Sequence, residues 1–382
     1  MTLRPGTPEE AGMSAQRVKH VVALAEGWVA QGITPALVAL VARRGLIVLH
    51  EAFGRLTPES DSPPLQRDTI YPLASLTKPI TATAAMMLVE DGLLGLNRPV
   101  VEYIPEFVGE GKGAVMVHHL LTHTSGLRNE EVNAHGEKKR GSVEIPPPEA
   151  TQHPRVHERL FLGYDTPLWK PPGVEMSYCN YGYGLLGEMV RRISGKSLTE
   201  FARERIFKPL GMKDTDYIVP ESVRPRIVRR PASAPGAEFT EDPKTPETPG
   251  AAGGVFSTAM DMAIFGQMFL NRGVYGDARI LSPASVAEMT RDQIPGIGAR
   301  YGDEVFPAAS WGLGWDVHGD KKRVLSDGAL HSPRAFRHGG TGGVYLWVDP
   351  VYDIVGIYFS VGLQTTARDL FINAVTAAVM DV

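Results

Sequence analysis

The beginning of the chain changes from a helical to an extended hydrophobic pattern. Apolar residues recur at helical spacing over residues 15–30, and Ser14 precedes them as a candidate N-terminal cap. Two runs rich in β-branched and aliphatic residues follow, at residues 36–42 and 46–50, with a glycine-containing turn between them. The pattern predicts an amphipathic helix followed by two adjacent antiparallel strands.

The end of the chain shows the same elements in the opposite order. Residues 344–348 and 354–361 are aliphatic runs around a turn that contains Pro350, and an apolar helical pattern through Leu370 and Ala374 follows. We therefore expect the two ends to meet in one antiparallel sheet covered by the terminal helices, which is a mixed α/β (α+β) fold.

The middle of the chain reads as a mainly helical insertion. Helical patterns cover residues 76–90, 182–193 and 198–207, whereas residues 129–172 and 223–250 are rich in proline or charge and are expected to lack regular structure. Loops of this length are often the rims of binding sites. We expect an α/β domain of residues 1–70 and 235–382, a helical domain of residues 71–234, and an active site in the cleft between them.

Composition excludes several classes of protein. The 382 residues are 43% hydrophobic and 21% charged, which is typical of a soluble globular protein. A net charge of −4 provides no basic field for nucleic acid, and the longest apolar stretch, residues 33–42, is about half the ~20 residues that span a membrane. The start of the chain shows no signal pattern, and the lone Cys179 permits no internal disulfide. We expect a cytoplasmic protein that binds neither nucleic acid nor membrane.

The first candidate for chemistry is a serine three residues before a lysine, at the start of a helical run. Ser75 and Lys78 would share a helix face, which brings the amine beside the hydroxyl. A serine needs a nearby base to act as a nucleophile, and a helix N-terminus favours the negative charge that develops. Pro79 lacks a backbone N–H, so the first turn is expected to be irregular. Taken alone, such a pair is more often a cap and a surface lysine.

Two further segments carry candidate site residues. Tyr178 can relay a proton where cationic neighbours favour its phenolate, and the amide of Asn180 can hold a substrate carbonyl. Residues 338–343, His-Gly-Gly-Thr-Gly-Gly, precede a predicted strand, and glycines there let a ligand approach backbone N–H groups. Each segment alone also fits a plainer interpretation, a buried tyrosine or a flexible turn.

Together these segments resemble a known superfamily. Ser-x-x-Lys at 75–78, Tyr-x-Asn at 178–180 and His-Gly-Gly at 338–340 stand in the order found in serine β-lactamases and penicillin-binding proteins. More narrowly, the chain resembles the family VIII carboxylesterases, which are similar to class C β-lactamases. The stretches LLTHTSGL at 120–127 and GGVFSTAMDMAIFGQMFLNRG at 253–273 agree with this resemblance.

The resemblance implies a role for each matching residue. Ser75 would be the acylated nucleophile, with Lys78 and Tyr178 sharing the base and acid roles. The oxyanion hole would consist of the backbone N–H groups of Ser75 and Thr341. The substrate-binding residues would be Asn180, His338, Gly339 and Gly340. The resemblance implies neither a metal nor another cofactor.

One departure from the superfamily bears on the substrate. Many β-lactamases and peptidases carry Lys-Thr-Gly where this chain has His338-Gly339-Gly340, so a titratable imidazole replaces a permanent cation and a hydroxyl is lost. Both changes weaken the case for anionic substrates. We therefore expect a small-molecule substrate, a neutral short-chain carboxylic ester, with weak β-lactam hydrolysis as a side activity.

Other interpretations stay open. A β-lactamase, a D-amino-acid peptidase and an acyltransferase would share the acyl-enzyme, whereas a non-catalytic binding module would need no activated Ser75. Cys179 is another nucleophile in principle, although a small thiol between functional side chains is more often a buried spacer.

Histidines and aromatic residues elsewhere have plainer explanations. His118, His119 and His123 could suggest a metal site, but the chain has no HExxH segment, and His123 more simply braces its turn. Trp169 and Trp311 fit either a hydrophobic cleft or ordinary core.

Overall fold

The computed structural model describes residues 1–241, 244–301, 304–319, 328–362 and 365–381. Its helices are α1 (Ala15–Ala30), α2 (Lys78–Glu90), α3 (Val117–Leu121), α4 (Asn129–Lys139), α5 (Pro154–Gly163), α6 (Asn180–Ser194), α7 (Leu198–Ala202), α8 (Lys208–Leu210), α9 (Glu238–Glu241), α10 (Ala259–Leu270), α11 (Pro283–Thr290) and α12 (Thr365–Thr376). Its strands are β1 (Arg4–Pro5), β2 (Ala36–Arg43), β3 (Leu46–Gly54), β4 (Tyr71–Pro72), β5 (Met176–Ser177), β6 (Phe256–Ser257), β7 (Val274–Tyr275), β8 (Ala278–Arg279), β9 (Ala299–Tyr301), β10 (Glu304–Phe306), β11 (Asp316–Val317), β12 (Phe336–Gly340), β13 (Val344–Asp349) and β14 (Ile354–Ser360).

A seven-stranded sheet within these residues joins the two ends of the chain. Its order is β1-β3-β2-β14-β13-β12-β11, and all neighbours are antiparallel except β1, which is parallel to β3. The central pair, β2 and β14, comes from opposite ends of the chain and places Leu40 beside Ile357. The predicted meeting of the two ends in one sheet is confirmed.

The sheet is covered on both faces, which explains why every residue of β2 is buried. Because side chains alternate along a strand, Leu37 and Val41 pack in one core with residues of α1 and α12. Val38 and Leu40 pack in the other core with residues of α2 and α10. The second core continues into the helical region that carries the site.

The predicted helices are confirmed, with irregular turns next to proline. α1 begins after Ser14, whose hydroxyl accepts the backbone N–H of Arg17. The helix predicted at residues 76–90 is a 3₁₀ turn followed by α2, and the one at 182–193 is α6. The helix predicted at 198–207 is α7 followed by a π-helical turn that ends before Pro209.

The expectation that residues 129–172 lack regular structure is wrong. This stretch contains α4 and α5, which pack against each other. α4 buries only Val132, so it shows no apolar stripe, and its ends carry charges that complement the helix dipole, such as Glu130 and Lys139. α5 begins at Pro154, a residue that is well tolerated in the first turn of a helix.

Residues 223–250 form only short turns in their described part, as predicted. These are 3₁₀ turns at Glu221–Arg226 and Thr245–Glu247 and the single turn of α9. Residues 242–243 of this stretch lie outside the described residues. No helix in the described ranges is long and apolar enough to cross a membrane.

Candidate active site

Ser75 lies on a tight turn between β4 and α2. The turn is a 3₁₀ helix (Ala74–Thr77), in which the N–H of Lys78 donates to the carbonyl of Ser75, while Pro79 has no N–H to extend an α-helical bond to that carbonyl. Ala74 has a φ of +46°, a left-handed conformation that is rare for a residue with a side chain. The surrounding structure therefore holds a strained backbone directly before the candidate nucleophile.

Lys78 is completely buried beside Ser75. Its Nζ lies 3.1 Å from Oγ of Ser75 and donates to the carbonyl of Ala252 at 3.0 Å. Burial lowers the pKa of Lys78 well below its ordinary value, because the interior disfavours the ammonium ion. Burial thus favours the neutral amine, whose lone pair can accept a proton.

Tyr178 also contacts Ser75, from the connection between β5 and α6. The Ser75 hydroxyl lies within reach of the phenol and lowers its pKa, and Nζ of Lys78 lies 4.6 Å from the centre of the tyrosine ring. His123 and Trp311 pack around the phenol, with ring centres 4.3 and 6.0 Å away. Burial raises the pKa of Tyr178 far above its ordinary value, and the Ser75 hydroxyl offsets only part of this effect. A neutral amine and a protonated phenol therefore stand next to the serine hydroxyl.

His123 holds the residues on both sides of Tyr178. Its carbonyl accepts the N–H of Ser177 at 2.8 Å, and its Nδ1 accepts the N–H of Cys179 at 3.1 Å. His123 adopts a φ of +58°, and burial lowers its pKa well below the ordinary value. These contacts join the turn of His123 to the segment around Tyr178, and the buried Cys179 fits the prediction of a spacer. The described residues contain no group of three or more histidine, cysteine or acidic residues able to hold a metal ion.

Asn129, at the start of α4, holds the same segment from another side. Its amide nitrogen donates to the carbonyl of Tyr178 at 3.3 Å, and its amide oxygen accepts the N–H of Asn180 at 2.8 Å. The side-chain oxygen of Asn180 is buried and has no hydrogen-bond partner among the described residues. Asn180 thus keeps a free acceptor at the wall of the cavity that adjoins Ser75.

Strand β12 brings residues 338–340 next to the serine turn. A Cβ atom at Gly340 would lie 2.1 Å from the carbonyl oxygen of Leu73, so only glycine permits this approach. His338 is buried and its Nδ1–H donates to the carbonyl of Gly339 at 2.7 Å. Burial, together with the nearby Lys78, lowers the pKa of His338 to about 3. The imidazole is therefore neutral near pH 7.

A cavity of about 400 Å³ adjoins Ser75, a size typical of small-molecule sites. Among the predicted site residues, Ser75, Asn180 and Thr341 form part of its wall. Lys78, Tyr178 and residues 338–340 do not belong to the wall and support it from behind. The structure therefore gathers the three motifs at one place but gives only part of them direct access to the cavity.

Sequence reasoning missed the charged residues of this cavity wall. α5 contributes Arg155 and Arg159, and α9 contributes Glu238. The two arginines stand four residues apart directly after Pro154, which would have placed them on one face had the helix been recognised. Arg230, which is buried and lies against Gly342 in the strand connection after Thr341, carries no sequence signal at all.

Known proteins resemble this chain over most of its length. The profile of the family described as Beta-lactamase matches residues 18–379. The chain is 30% identical over 277 residues to penicillin-binding protein 4 of Amycolatopsis lactamdurans, covering 71% of this chain and 68% of that protein. It is 29% identical over 354 residues to Protein Rv1367c of Mycobacterium tuberculosis, covering 82% of each.

A solved structure agrees at the level of the fold. The crystal structure of a family VIII carboxylesterase superposes with a TM-score of 0.75 at 22% sequence identity, covering 96% of this chain and 99% of that chain. Likeness at this identity shows a shared fold and leaves the reaction to be argued from the site.

Proposed function

Since the chain belongs to the beta-lactamase family, whose members are serine hydrolases, we propose that it is a carboxylesterase that cleaves short-chain carboxylic esters through an acyl-enzyme on Ser75. One observation carries the proposal. The buried amine of Lys78, whose pKa burial lowers, lies 3.1 Å from the hydroxyl of Ser75, and Ser75 in turn adjoins a cavity of small-molecule size. A residue that only caps a helix would not require a buried lysine.

Acylation uses the two neutral groups in turn. The Oγ of Ser75 attacks the carbonyl carbon of the ester while its proton passes to Lys78. The backbone N–H groups of Ser75 and Thr341 stabilise the tetrahedral oxyanion. As the C–O bond breaks, the protonated phenol of Tyr178 donates to the leaving alcohol, and the proton held by Lys78 restores the phenol.

Deacylation runs the same transfers with water as the nucleophile. Lys78 takes a proton from the water that attacks the acyl carbon, and the oxyanion forms again at the same N–H groups. Ser75 leaves with a proton donated by Tyr178, and the proton held by Lys78 then restores the phenol. The acid product departs and the free enzyme is regenerated with its protonation states unchanged. Neither half-reaction requires a charged side chain at the start.

The neutral His338 favours an ester over a β-lactam or peptide. Where related enzymes carry a lysine, this chain has a buried imidazole without charge, so no cation stands at that position to meet a carboxylate beside the scissile bond. The shared fold with a family VIII carboxylesterase is consistent with this choice. The similarity to penicillin-binding protein 4 supports a second candidate, a D-amino-acid peptidase or β-lactamase.

The proposal predicts a clear difference between two substitutions. Ser75→Ala should lower release of p-nitrophenol from p-nitrophenyl butyrate by at least about a thousandfold, because it removes the nucleophile. Cys179→Ala should retain most activity, since this thiol is a buried spacer and burial raises its pKa. Intact-mass spectrometry should detect a butyryl adduct on the wild type, where deacylation is slow enough to trap, and none on Ser75→Ala.

Two outcomes would count against the esterase. Loss of activity in Cys179→Ala with retention in Ser75→Ala would exclude Ser75 as the nucleophile. Absence of both p-nitrophenol and adduct with the wild type would exclude the esterase, and β-lactams and D-amino-acid amides would then separate the second candidate from a binding module without turnover.

A further inference from the structure

The cavity beside Ser75 contains a cation that the proposed reaction does not use. Arg159 lies on α5, forms part of the cavity wall and is exposed to solvent. It makes no side-chain hydrogen bond or ion pair within the described ranges. After burial, which dominates, the charge of Arg159 also lowers the pKa of Lys78, so its field reaches the catalytic groups.

The other charged residues of the wall are accounted for. Arg155, one helical turn before Arg159, takes part in an interaction of its own. Glu238 acts on the buried Arg230, whose pKa is lowered to about 10 by burial although Tyr71 and Glu238 oppose that shift. The carboxylate of Glu238 therefore lies in the field of a buried guanidinium. Arg159 is left as the cation whose charge a ligand could meet.

We propose that the preferred substrate is an ester that carries a carboxylate away from the scissile bond, and that Arg159 binds this carboxylate. The inference rests on the proposed esterase function and replaces the neutral ester expected from the sequence. A guanidinium presents paired N–H donors that match the two oxygens of a carboxylate. The carboxylate cannot be met by the neutral His338, so the α5 wall is where the cavity can balance its charge.

Two matched substrate pairs test the inference. Mono-p-nitrophenyl adipate and its methyl ester differ by one methyl group that removes a charge on the acyl side. 4-Acetoxybenzoate and its methyl ester differ in the same way on the alcohol side. The measured quantity is the ratio of kcat/KM for the anionic ester to kcat/KM for its neutral partner. Arg159→Gln should lower this ratio about fivefold in at least one pair, with a smaller difference at high salt.

Arg17→Gln is the matched control, because it removes an equal charge from an exposed position on α1, across the sheet from the site. It should leave both ratios as in the wild type. Equal ratios for wild type and Arg159→Gln in both pairs would overturn the inference. Turnover of the neutral esters in the same experiment would still support the esterase.

A binding measurement separates the two proposals further. In the Ser75→Ala background, calorimetry with the anionic and neutral esters reports binding without turnover. Arg159→Gln should weaken binding of the anionic ester about fivefold relative to its methyl ester. An unchanged preference would refute the role of Arg159 even if no ester were turned over by the wild type.

Discussion

Removal of the Asn129 side chain tests whether catalysis depends on the hydrogen bonds that hold the segment around Tyr178. It bonds the carbonyl of Tyr178 and the N–H of Asn180, so Asn129→Ala frees the segment on both sides of Cys179. Loss of these bonds should lower kcat roughly tenfold with little change in KM, because the phenol is misplaced for proton transfer. Steady-state kinetics with p-nitrophenyl butyrate measures both constants.

Asn129→Asp provides the conservative comparison. A carboxylate keeps the acceptor for the N–H of Asn180 but loses the donor to the carbonyl of Tyr178, so kcat should fall less than in Asn129→Ala. A role limited to stability would lower the melting temperature of both variants and leave kcat of the folded enzyme unchanged. That result would contradict a positioning role.

At the scale of single residues, sequence reasoning succeeded where spacing alone sets a contact. Three positions along a helical run place Lys78 beside Ser75 in any such structure. Tyr178 lies a hundred residues away, and its place beside Ser75 was expected only through the resemblance. The burial of His338 and the place of Arg159 depend on packing between distant elements, which a single sequence does not record.

At the scale of elements, the close packing of β12 against the serine turn should be sensitive to one methyl group. In Gly340→Ala the new Cβ would meet the carbonyl oxygen of Leu73 at 2.1 Å, so the strand end must move away from the turn. Overpacking of this kind costs about 1–3 kcal/mol and shifts Thr341 relative to Ser75. We expect kcat/KM to fall by at least roughly tenfold, measured together with thermal unfolding.

Gly339→Ala is the neighbouring control for this substitution. Its Cβ would lie 3.2 Å from Cδ2 of Tyr345, a contact that a small side-chain movement can relieve. The activity of Gly339→Ala should therefore stay well above that of Gly340→Ala. Equal activities would mean that the close packing of β12 against Leu73 does not determine the position of Thr341 relative to Ser75.

The two helices that the sequence failed to predict were missed for different physical reasons. α4 buries one residue, Val132, and is stabilised by its terminal charges and by α5, so its pattern of hydrophobic positions is almost featureless. The strands of the sheet were predictable because burial on both faces gives long aliphatic runs. α5, which carries Arg155 and Arg159, does bury Leu160 and Leu162, but it stands within a stretch rich in proline and charge, which favoured the expectation of a loop.

At the scale of the whole molecule, the sequence was enough to predict that the two chain ends share one sheet. Each terminal hairpin alone would leave the backbone N–H and C=O groups of its edge strands unpaired. The order of the strands outside the central four, including β11 and β1, was not predictable, since these strands are two residues long. We propose the division into residues 1–70 with 235–382 and residues 71–234 on the same ground, that the sheet unites the ends.

Three buried histidines make the stability of the whole fold sensitive to acid. Burial lowers the pKa of His331 and of His338 to about 3, and lowers that of His123 well below its ordinary value. In the unfolded chain these groups have a pKa of about 6.5. The unfolded chain therefore binds more protons below that pH, so the stability that they contribute is present above pH 6.5 and is lost as the pH falls towards 3.

Asp261 opposes this trend, because burial raises its pKa to about 6 and the folded state then binds one extra proton near pH 5. Burial also lowers the pKa of His119 to about 4. The balance of His119, His331 and His338 against Asp261 is about two protons, and His123 acts in the same direction, so the free energy of unfolding should fall by at least about 3 kcal/mol per pH unit near pH 5. Urea unfolding at pH 7, 6 and 5 measures this slope. A flat profile would show that the histidines are protonated in the folded state.

His331 allows the contribution of one histidine to be isolated, because it lies outside the proposed site. Asp349 is 4.0 Å from its Nδ1, but burial and the nearby Arg337 outweigh this carboxylate and keep the imidazole neutral. A non-titrating His331→Asn variant should lower the slope near pH 5 by about 1.4 kcal/mol per pH unit, since one fewer proton is taken up on unfolding. An unchanged slope would mean that Asp349 holds a proton on His331 in the folded protein, and acid sensitivity would then come from the site histidines alone.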